Sequence, residues 1–462
     1  MNPLAHTVYR RLFLAQVVAL LGTGLATVAL ALLAWDLAEG NAGAVLGTAL
    51  AIKMIAYVGV TPLITSLTRH LPRRPLLVGL DCARAVCIGC MPFVDAVWQV
   101  YVLIFVLNAC SAGFTPTFQA TIPEVLRDEP NYTRALSLSR LAYDIESLLS
   151  PALAAAALTV MSYSVLFAGN AAAFLISAAL VLSVTLPRRA QTAEAPSGFV
   201  EATTLGLRTY LRTPRLRGLL WLSLAVAAAS AMVIVNTVVY VRDRLGGDQV
   251  DTALALGAYG LGSMSAALAL PKLVERIGDR PLMLLGAVLL ATGLLAGTLG
   301  LSTVGLLIAW LVLGTGASLV QTPAGRLLTR SANAETRAPV FAAQFTLSHA
   351  CWLVTYPLAG WGGVALGLDT TFAILAGTAV VAGFLAARAW PPGDPIEIEH
   401  THAATTHAHH HVHDADHHRH DHAHADGDEA HAHEHFHPEV THTHAYIIDR
   451  DHPIWPDPKS AS

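Results

Sequence analysis

The feature that most constrains this chain is a series of apolar stretches, each long enough to cross a lipid bilayer as a helix. A spanning helix needs about 20 mostly apolar residues. Only 13% of the residues are Asp, Glu, Lys or Arg, which is about half the share found in a soluble domain. The sequence therefore predicts an all-α membrane protein with twelve transmembrane helices. We expect them at residues 12–35, 44–67, 75–94, 97–118, 135–160, 163–186, 218–241, 252–271, 281–300, 302–323, 338–366 and 370–390.

The arginines and lysines between these stretches predict the orientation of the chain. They lie before the first helix and after every second helix, and the opposite loops carry few cations apart from Arg242 and Arg244. Short loops rich in Lys and Arg stay in the cytosol. We therefore expect an integral protein of a bacterial cytoplasmic (inner) membrane, with both termini in the cytosol.

The apolar body repeats internally with an offset of 206 residues. Residues 65–77 align with residues 271–283, and the same offset carries Pro151 onto Pro357. Parallel repeats related by an axis along the membrane normal are typical of one class of transporter. We predict a six-helix half at 1–186, a cytosolic linker at 187–217, a second six-helix half at 218–390 and a polar tail at 391–462.

A loop in each repeat resembles the signature of a known family. Residues 273–280, Leu-Val-Glu-Arg-Ile-Gly-Asp-Arg, resemble the G-x-L-x-D-R-x-G-R-R loop of the major facilitator superfamily. In the first copy, Arg69 stands where the family has its acidic residue. The resemblance implies two six-helix pseudo-repeats whose loops latch onto neighbouring helices. It implies gating residues at Arg73, Arg74, Glu275, Arg276, Gly278 and Arg280.

Three further stretches carry a narrower resemblance. Residues 49–58, 114–123 and 134–144 are similar to the nickel-resistance exporters of the NreB and NrsD type within that superfamily. This resemblance implies export of Ni²⁺, with Co²⁺ as the second candidate, and metal resistance as the outcome. The choice of nickel comes from the resemblance, because ligand chemistry alone does not separate Ni²⁺ from Co²⁺, Zn²⁺ or Cu²⁺.

The tail is chemically distinct from the body. It holds 19 of the 22 histidines of the chain, together with 14 acidic residues and only three cations. Large apolar residues are scarce in it, so we expect disorder without ligand. Neutral imidazole is a good ligand for divalent transition metals. The candidate metal ligands are His400, His402, His407, His409, His410, His411, His413, His417, His418, His420, His422, His424, His431, His433, His435, His437, His442 and His444.

Alternatives to a metal-gathering tail remain open. It could be a solvated segment without metal affinity, or a metal buffer that is not coupled to transport. Residues 433–437 match the zinc-protease pattern H-E-x-x-H, but that pattern needs a stable helix and arises by chance in a segment this rich in His and Glu. We therefore do not predict an enzyme.

Ionisable residues inside the predicted helices are candidates for the transport path, because burying them in a bilayer is costly. Arg140 and Asp144 are spaced to pair along one helix, and Asp144 is our first candidate for a cation or proton site. Glu146 lies on another face of that helix. Asp81 and Arg84 form a second spaced pair. A purely structural pairing is the alternative in both cases.

His349 and Cys351 lie in the eleventh predicted helix. The repeat offset places His349 opposite Tyr143, next to Asp144. We therefore expect that a divalent ion could be held by Asp144 and His349 together. A hydrogen-bonded helix histidine is the alternative.

No phosphate-binding loop or phosphorylation motif occurs in the sequence, so ATP on this chain is not the expected energy source. A proton gradient is the alternative, with Asp144, Glu146 or His349 as carriers. We predict a monomeric secondary transporter without a prosthetic group or nucleic-acid partner, which exchanges metal for protons across the lipid bilayer. The runner-up is a drug or siderophore efflux permease with a metal-responsive tail, and a third hypothesis is metal storage without flux.

Overall fold

A computed structural model describes most of the body and parts of the tail. The described residues are 2–37, 42–68, 70–158, 160–187, 199–333, 335–392, 397–402, 405–411, 431–437, 440–445, 447–448 and 455. Within these ranges the backbone forms fourteen α-helices and four short strands. Seven of the tail histidines lie outside the described residues: His413, His417, His418, His420, His422, His424 and His452.

The body consists of two sets of helices joined by one helix in the linker. The N-terminal half contains α1 (Thr7–Leu37), α2 (Ala42–Leu67), α3 (Arg73–Cys90), α4 (Val97–Val125), α5 (Glu129–Leu158) and α6 (Tyr163–Leu182). The linker helix is α7 (Phe199–Arg212). The C-terminal half contains α8 (Pro214–Val239), α9 (Gln249–Ile277), α10 (Asp279–Gly297), α11 (Thr303–Gln321), α12 (Ala324–Arg330), α13 (Arg337–Ala365) and α14 (Leu368–Ala389).

All twelve predicted long helices are present, and the predicted all-α membrane fold is confirmed. Among the described residues, nine helices are long and apolar enough to cross a membrane by length and composition. α2 adds a shorter apolar stretch at Ala51–Leu67. The two remaining long helices are α5 and α13, which hold the polar residues that the sequence analysis singled out.

Close helix packing explains part of the glycine content. Gly286 of α10 and Gly316 of α11 face one another, and a Cβ added to either would lie 2.8 Å from the carbonyl oxygen of the other. Small residues let helix backbones approach closely in membranes, where the hydrophobic effect does not drive helix association. These two glycines therefore set the separation of α10 and α11.

The two halves meet chiefly along two helix pairs, α5 with α9 and α2 with α13, and α4 also packs against α13. The linker helix α7 packs against α13 and α2 and so touches both halves. Its Gly206 lies against the backbone of Pro339, and its buried Tyr210 donates a hydrogen bond to Gln344 of α13. Burial raises the pKa of the Tyr210 phenol well above its ordinary value. This helix was not predicted, because the segment was interpreted only as a linker.

We call the end of the bundle where α1 begins, α7 lies and α14 ends the linker end, and the other end the distal end.

The described part of the tail contains four short strands. Its strands are β1 (Glu397–His402), β2 (Thr405–His411), β3 (His431–His437) and β4 (Val440–Ala445). β1 pairs antiparallel with β4, and β2 pairs antiparallel with β3. The repeated His-x-His pattern has the period of two that a strand requires, and paired strands satisfy their backbone groups without a large apolar core.

Candidate transport site between the two halves

Arg140 of α5 connects the two halves through its guanidinium group. Its Nη2 atom lies 3.0 Å from Oδ1 of Asp144, on the same helix. Its Nε atom donates to the Ser263 hydroxyl of α9 at 2.9 Å, and its Nη1 atom donates to the Gln321 side chain of α11 at 2.6 Å. We call these four residues the Arg140 cluster.

The geometry of this cluster depends on arginine. A guanidinium group holds its donors in a rigid planar fork, which here points toward three acceptors on three helices. Hydrogen bonds from a charged donor contribute about 1.5–3 kcal/mol each. The predicted pairing of Arg140 with Asp144 is present. The two bonds across the interface, to Ser263 and Gln321, were not predicted.

Glu146 lies away from this cluster, as its position along α5 predicts. The Ser150 hydroxyl donates to Glu146 Oε1 at 3.4 Å, and that oxygen lies beside Gly24 of α1. Glu146 therefore belongs to the interior of the N-terminal half, whereas Asp144 faces α9.

His349 lies in the other helix pair, between α13 and α2. Its Nδ1 atom is 2.7 Å from the carbonyl oxygen of Phe345 in its own helix. Its ring packs edge-on against Tyr57 of α2, with centroids 4.7 Å apart, and the Lys53 ammonium lies 5.7 Å from the same Tyr57 ring. Cys351, two residues further on, is a partly buried free thiol.

Asp144 and His349 contact different sets of neighbours in this arrangement. The repeat relates α5 to α13, but α5 packs on α9 and α13 packs on α2. Equivalent positions in two repeats therefore face different partners. Among the described residues there is also no group of three or more His, Cys, Asp or Glu side chains arranged to hold a metal ion.

Asp81 and Arg84 form a second predicted pair, and it lies inside the N-terminal half. Asp81 is fully buried, bonded to Arg84 and to the Ser177 hydroxyl of α6 at 2.8 Å. The Arg84 guanidinium also lies over the rings of Phe114 at 4.0 Å and Phe174 at 4.5 Å. This pair joins α3, α4 and α6, and we interpret it as a structural pair of the N-terminal half.

A group of ion pairs joins the halves at the linker end. Glu124 at the end of α4 accepts two hydrogen bonds from Arg73 of α3, one of them at 2.7 Å from Nη2. The other half contributes Arg337 of α13, whose Nη1 lies 3.2 Å from Glu124 Oε1. One carboxylate therefore bridges an arginine in each half.

The C-terminal half supplies a matching arrangement. Asp279 at the start of α10 lies 3.0 Å from both Arg326 Nε and Arg330 Nη1 of α12. Arg326 continues across the interface to Glu129 of α5, at 2.6 Å, and donates to the Thr133 hydroxyl. We call this set of residues, with Arg73, Glu124 and Arg337, the linker-end ion-pair cluster.

The two arrangements are related by the repeat, but their charges are exchanged. The offset of 206 carries Arg73 onto Asp279 and Glu124 onto Arg330. Each half therefore contains an arginine–carboxylate pair. The position that holds the arginine in the first half holds the carboxylate in the second, and the reverse is true of its partner. Opposite charges at positions 206 residues apart are the sequence signal by which Asp279, Glu124 and Arg330 could have been identified.

The other expected gating residues have separate roles. Arg74 donates to the Leu182 carbonyl at the end of α6, and Arg280 donates to the carbonyls of Trp390 and Ala387 at the end of α14, at 2.7 and 3.1 Å. Cations near helix C-termini satisfy the unpaired carbonyl groups there. Gly278 has a φ of 82° between α9 and α10, a conformation that favours glycine.

Glu275 was expected among the gating residues, as the acidic residue of the second-half loop. Glu275 and Arg276 are exposed and do not belong to the linker-end ion-pair cluster. The buried acid that holds the neighbouring helix is Asp279, four residues later. Glu275 lies on the last exposed turn of α9, whereas Asp279 begins α10 and faces α12.

Comparison with known proteins gives the family. The family model described as Major Facilitator Superfamily matches residues 12–272 and residues 220–410 of this chain. The chain belongs to the major facilitator superfamily. The family consists of transporters rather than enzymes, and the apolar helices make this member an integral membrane protein.

Solved structures of the superfamily share the fold at low sequence identity. The human organic anion transporter MFSD10 (TETRAN) has a TM-score of 0.69 at 14% identity, covering 82% of this chain and 98% of that one. A bacterial homologue of the iron transporter ferroportin, in an outward-facing state, has a TM-score of 0.67 at 15% identity, covering 83% and 99%. The Escherichia coli fucose:proton symporter FucP has a TM-score of 0.65 at 13% identity, covering 83% and 98%.

A curated relative matches over a shorter region. The uncharacterized MFS-type transporter YfiS of Bacillus subtilis (strain 168) is 30% identical over 149 residues, which is 31% of this chain. The match spans about a third, 35%, of that relative's length.

Proposed function

We propose that this superfamily member is a secondary transporter that exports a divalent transition metal from the cytosol, Ni²⁺ first and Co²⁺ second. The observation that carries the proposal is a segment with 19 histidines attached directly to a transporter body. The similarity of three body stretches to nickel-resistance exporters supports the choice of metal. The fold shared with a bacterial homologue of an iron transporter is compatible with it.

The direction of transport follows from the orientation that the cationic loops predict. With the linker end in the cytosol, the tail meets cytosolic metal. The linker-end ion-pair cluster then closes the cytosolic side in the described state, and the protein faces outward. Two similar solved structures, the ferroportin homologue and one of FucP, are described as outward-facing or outward.

Metal gathering by the tail is supported by the strand register. His407 lies opposite His435, His409 opposite His433, and His411 opposite His431 along β2 and β3. Directly opposed residues of antiparallel strands have Cα atoms about 4.5–5.5 Å apart. Histidine positions therefore come in close pairs, and imidazole binds Ni²⁺, Co²⁺, Zn²⁺ and Cu²⁺. The metal is cargo, and no prosthetic group is proposed.

Protons are the coupling ion in this proposal. Export against a gradient needs an energy source, and the candidates for proton transfer are Asp144, Glu146 and His349. Asp144 is the strongest candidate, because its partner Arg140 also bonds to the other half. A change in the charge of Asp144 would therefore act directly on the contact between the halves.

Deleting residues 397–452 is expected to lower nickel resistance by about threefold without abolishing it. The body keeps its transport path, but it loses the local supply of metal that a tethered ligand provides. Growth inhibition by nickel is measured in cells that carry the deletion, the intact chain or no transporter. A control variant keeps the length of the tail and replaces its histidines with serine. Normal growth of the deletion strain at high nickel would show that the tail does not collect metal for transport.

Efflux of organic compounds, such as drugs or siderophores, is the second candidate function. The fold shared with a human organic anion transporter favours it, as do the cations Lys53 and Arg140 between the halves. Measuring nickel content and dye retention in one expression strain separates the two candidates. Lower dye retention with unchanged nickel would support the second.

A further inference from the structure

Both ends of the tail meet the body at the start of α8. Trp390, directly after α14, packs against Gly218, where an added Cβ would lie 2.8 Å from the Trp390 Cβ atom. Near the end of the chain, the ring of Trp455 lies 5.0 Å from the guanidinium carbon of Arg215. Arg215 and Gly218 are three residues apart on α8 and so lie on one face of that helix.

The contact at Trp455 has the features of a packed interface. Arg215 is only 2% exposed, and arginine is rarely buried to this extent without partners. A guanidinium group over the face of an indole ring is a favourable arrangement. Ile448 is 3% exposed and packs with Trp455. Trp455 therefore packs on the body, and Ile448 packs on Trp455.

The strand pairing independently brings the two ends of the tail together. Glu397 of β1 lies opposite Ala445 of β4. Glu397 follows Trp390 by seven residues, and Ala445 precedes Ile448 by three. The chain therefore leaves the body at Trp390 and returns to it at Trp455, against which Ile448 packs.

We propose that Ile448 and Trp455 form a tail anchor on Arg215, which holds the histidine segment as a closed loop at the linker end of the body. The inference rests on the proposed function, in which the tail supplies metal to the transport path. The start of α8 is a suitable position for such an anchor, because it directly follows the linker helix α7. The anchor keeps the metal-binding residues beside the body instead of leaving them on a free tail.

Chain statistics give the expected size of the effect. A flexible segment of n residues spans about 5–6 Å × √n, and 64 residues separate Trp390 from Trp455. While the strands are unpaired, the middle of that segment would lie about 30 Å from its attachment if one end were free, and about 20 Å if both ends were fixed. Local concentration varies with the inverse cube of distance, so the anchor raises it about threefold.

Replacing Trp455 with Ala in the full-length protein is expected to release the anchor. Nickel efflux at low nickel concentration should fall about threefold, and efflux at saturating nickel should match the wild type. Trp455→Phe is the matched control, because it keeps an aromatic face for Arg215 and should retain efflux. Nickel bound per purified protein should be unchanged in both variants, since no histidine is altered.

A distance measurement tests the anchor without any transport. Spin labels at exposed Arg388 of α14 and at Lys459 near the chain end should give a short, narrow distance distribution in the wild type. The distribution should become long and broad in Trp455→Ala.

Identical distance distributions in the two proteins would overturn the inference. It would also be overturned if deleting residues 397–452 impairs efflux but Trp455→Ala keeps wild-type efflux. If that deletion has no effect on efflux, the collector role and the benefit assigned to the anchor both fail. The distances then still decide whether the anchor exists.

Discussion

Replacing Glu124 with Gln is expected to reduce transport at least tenfold and to destabilise the protein by about 3–5 kcal/mol. Glu124 is the carboxylate shared by Arg73 in its own half and Arg337 in the other. The side chain of Arg73 is only 3% exposed, and removing one partner of a buried ion pair leaves an uncompensated charge, which accounts for that cost. Transport is measured as efflux, and stability as thermal unfolding of the purified protein.

Glu129→Gln is the matched control. Glu129 also pairs across the halves, with Arg326, but its side chain is 57% exposed. An exposed pair contributes only about 0–1 kcal/mol, so this variant should transport and unfold much like the wild type. Equal losses in Glu124→Gln and Glu129→Gln would contradict the distinction between a buried and an exposed contact.

The exchanged charges of the two repeats allow a sharper version of this experiment. The double variant R73E/E124R reproduces in the first half the charge order that Asp279 and Arg330 have in the second. It restores a pair within the half but places an arginine opposite Arg337. We expect stability to recover relative to Glu124→Gln while transport does not. Recovery of both would show that the pair with Arg337 has no role in transport.

Replacing Arg140 with Lys is the second large effect that we expect, with efflux reduced at least tenfold. Lysine keeps the charge, but its single ammonium group lacks the planar fork that reaches Asp144, Ser263 and Gln321 together. Losing two charge-assisted bonds of about 1.5 kcal/mol each shifts the balance between conformational states by about 100-fold. A transporter must visit both states, so such a shift should slow its cycle.

Ser139→Ala provides the control for this variant. Ser139 is adjacent to Arg140 in sequence, and its hydroxyl donates to Gln16 of α1 at 3.1 Å, within the N-terminal half. Its loss should leave efflux nearly unchanged. The amount of each variant in the membrane is measured in parallel, so that lower efflux is not confused with poor folding. Wild-type efflux in Arg140→Lys would mean that the bonds to Ser263 and Gln321 do not govern the cycle.

The helices and the local pairs could be predicted, because they depend on residues close in sequence. A run of about 20 apolar residues identifies a span by itself. The pairings of Arg140 with Asp144 and of Asp81 with Arg84 follow from helical spacing. The partners Ser263 and Gln321 are more than 100 residues away from Arg140, and no local pattern connects them.

Contacts that the repeat or a family pattern does not predict are set by how the helices pack. The repeat makes Tyr143 equivalent to His349, and Asp144 is the next residue after Tyr143. Residues at equivalent positions of two repeats need not contact each other. α5 and α13 occupy symmetry-related places against α9 and α2. Glu275 matched a family pattern by position, whereas burial beside α12 selects Asp279. In the tail, the period of two in the His-x-His pattern is the sequence signal for the strands of the described residues.

Nickel uptake by everted membrane vesicles tests the proposed export most directly. Such vesicles expose the cytosolic face, so a proton-coupled exporter should carry nickel inward when respiration acidifies their interior. We expect vesicles with this protein to accumulate nickel above vesicles without it, and a protonophore to abolish the difference. Energised vesicles that contain the folded protein but accumulate no more nickel than those without it would contradict the account.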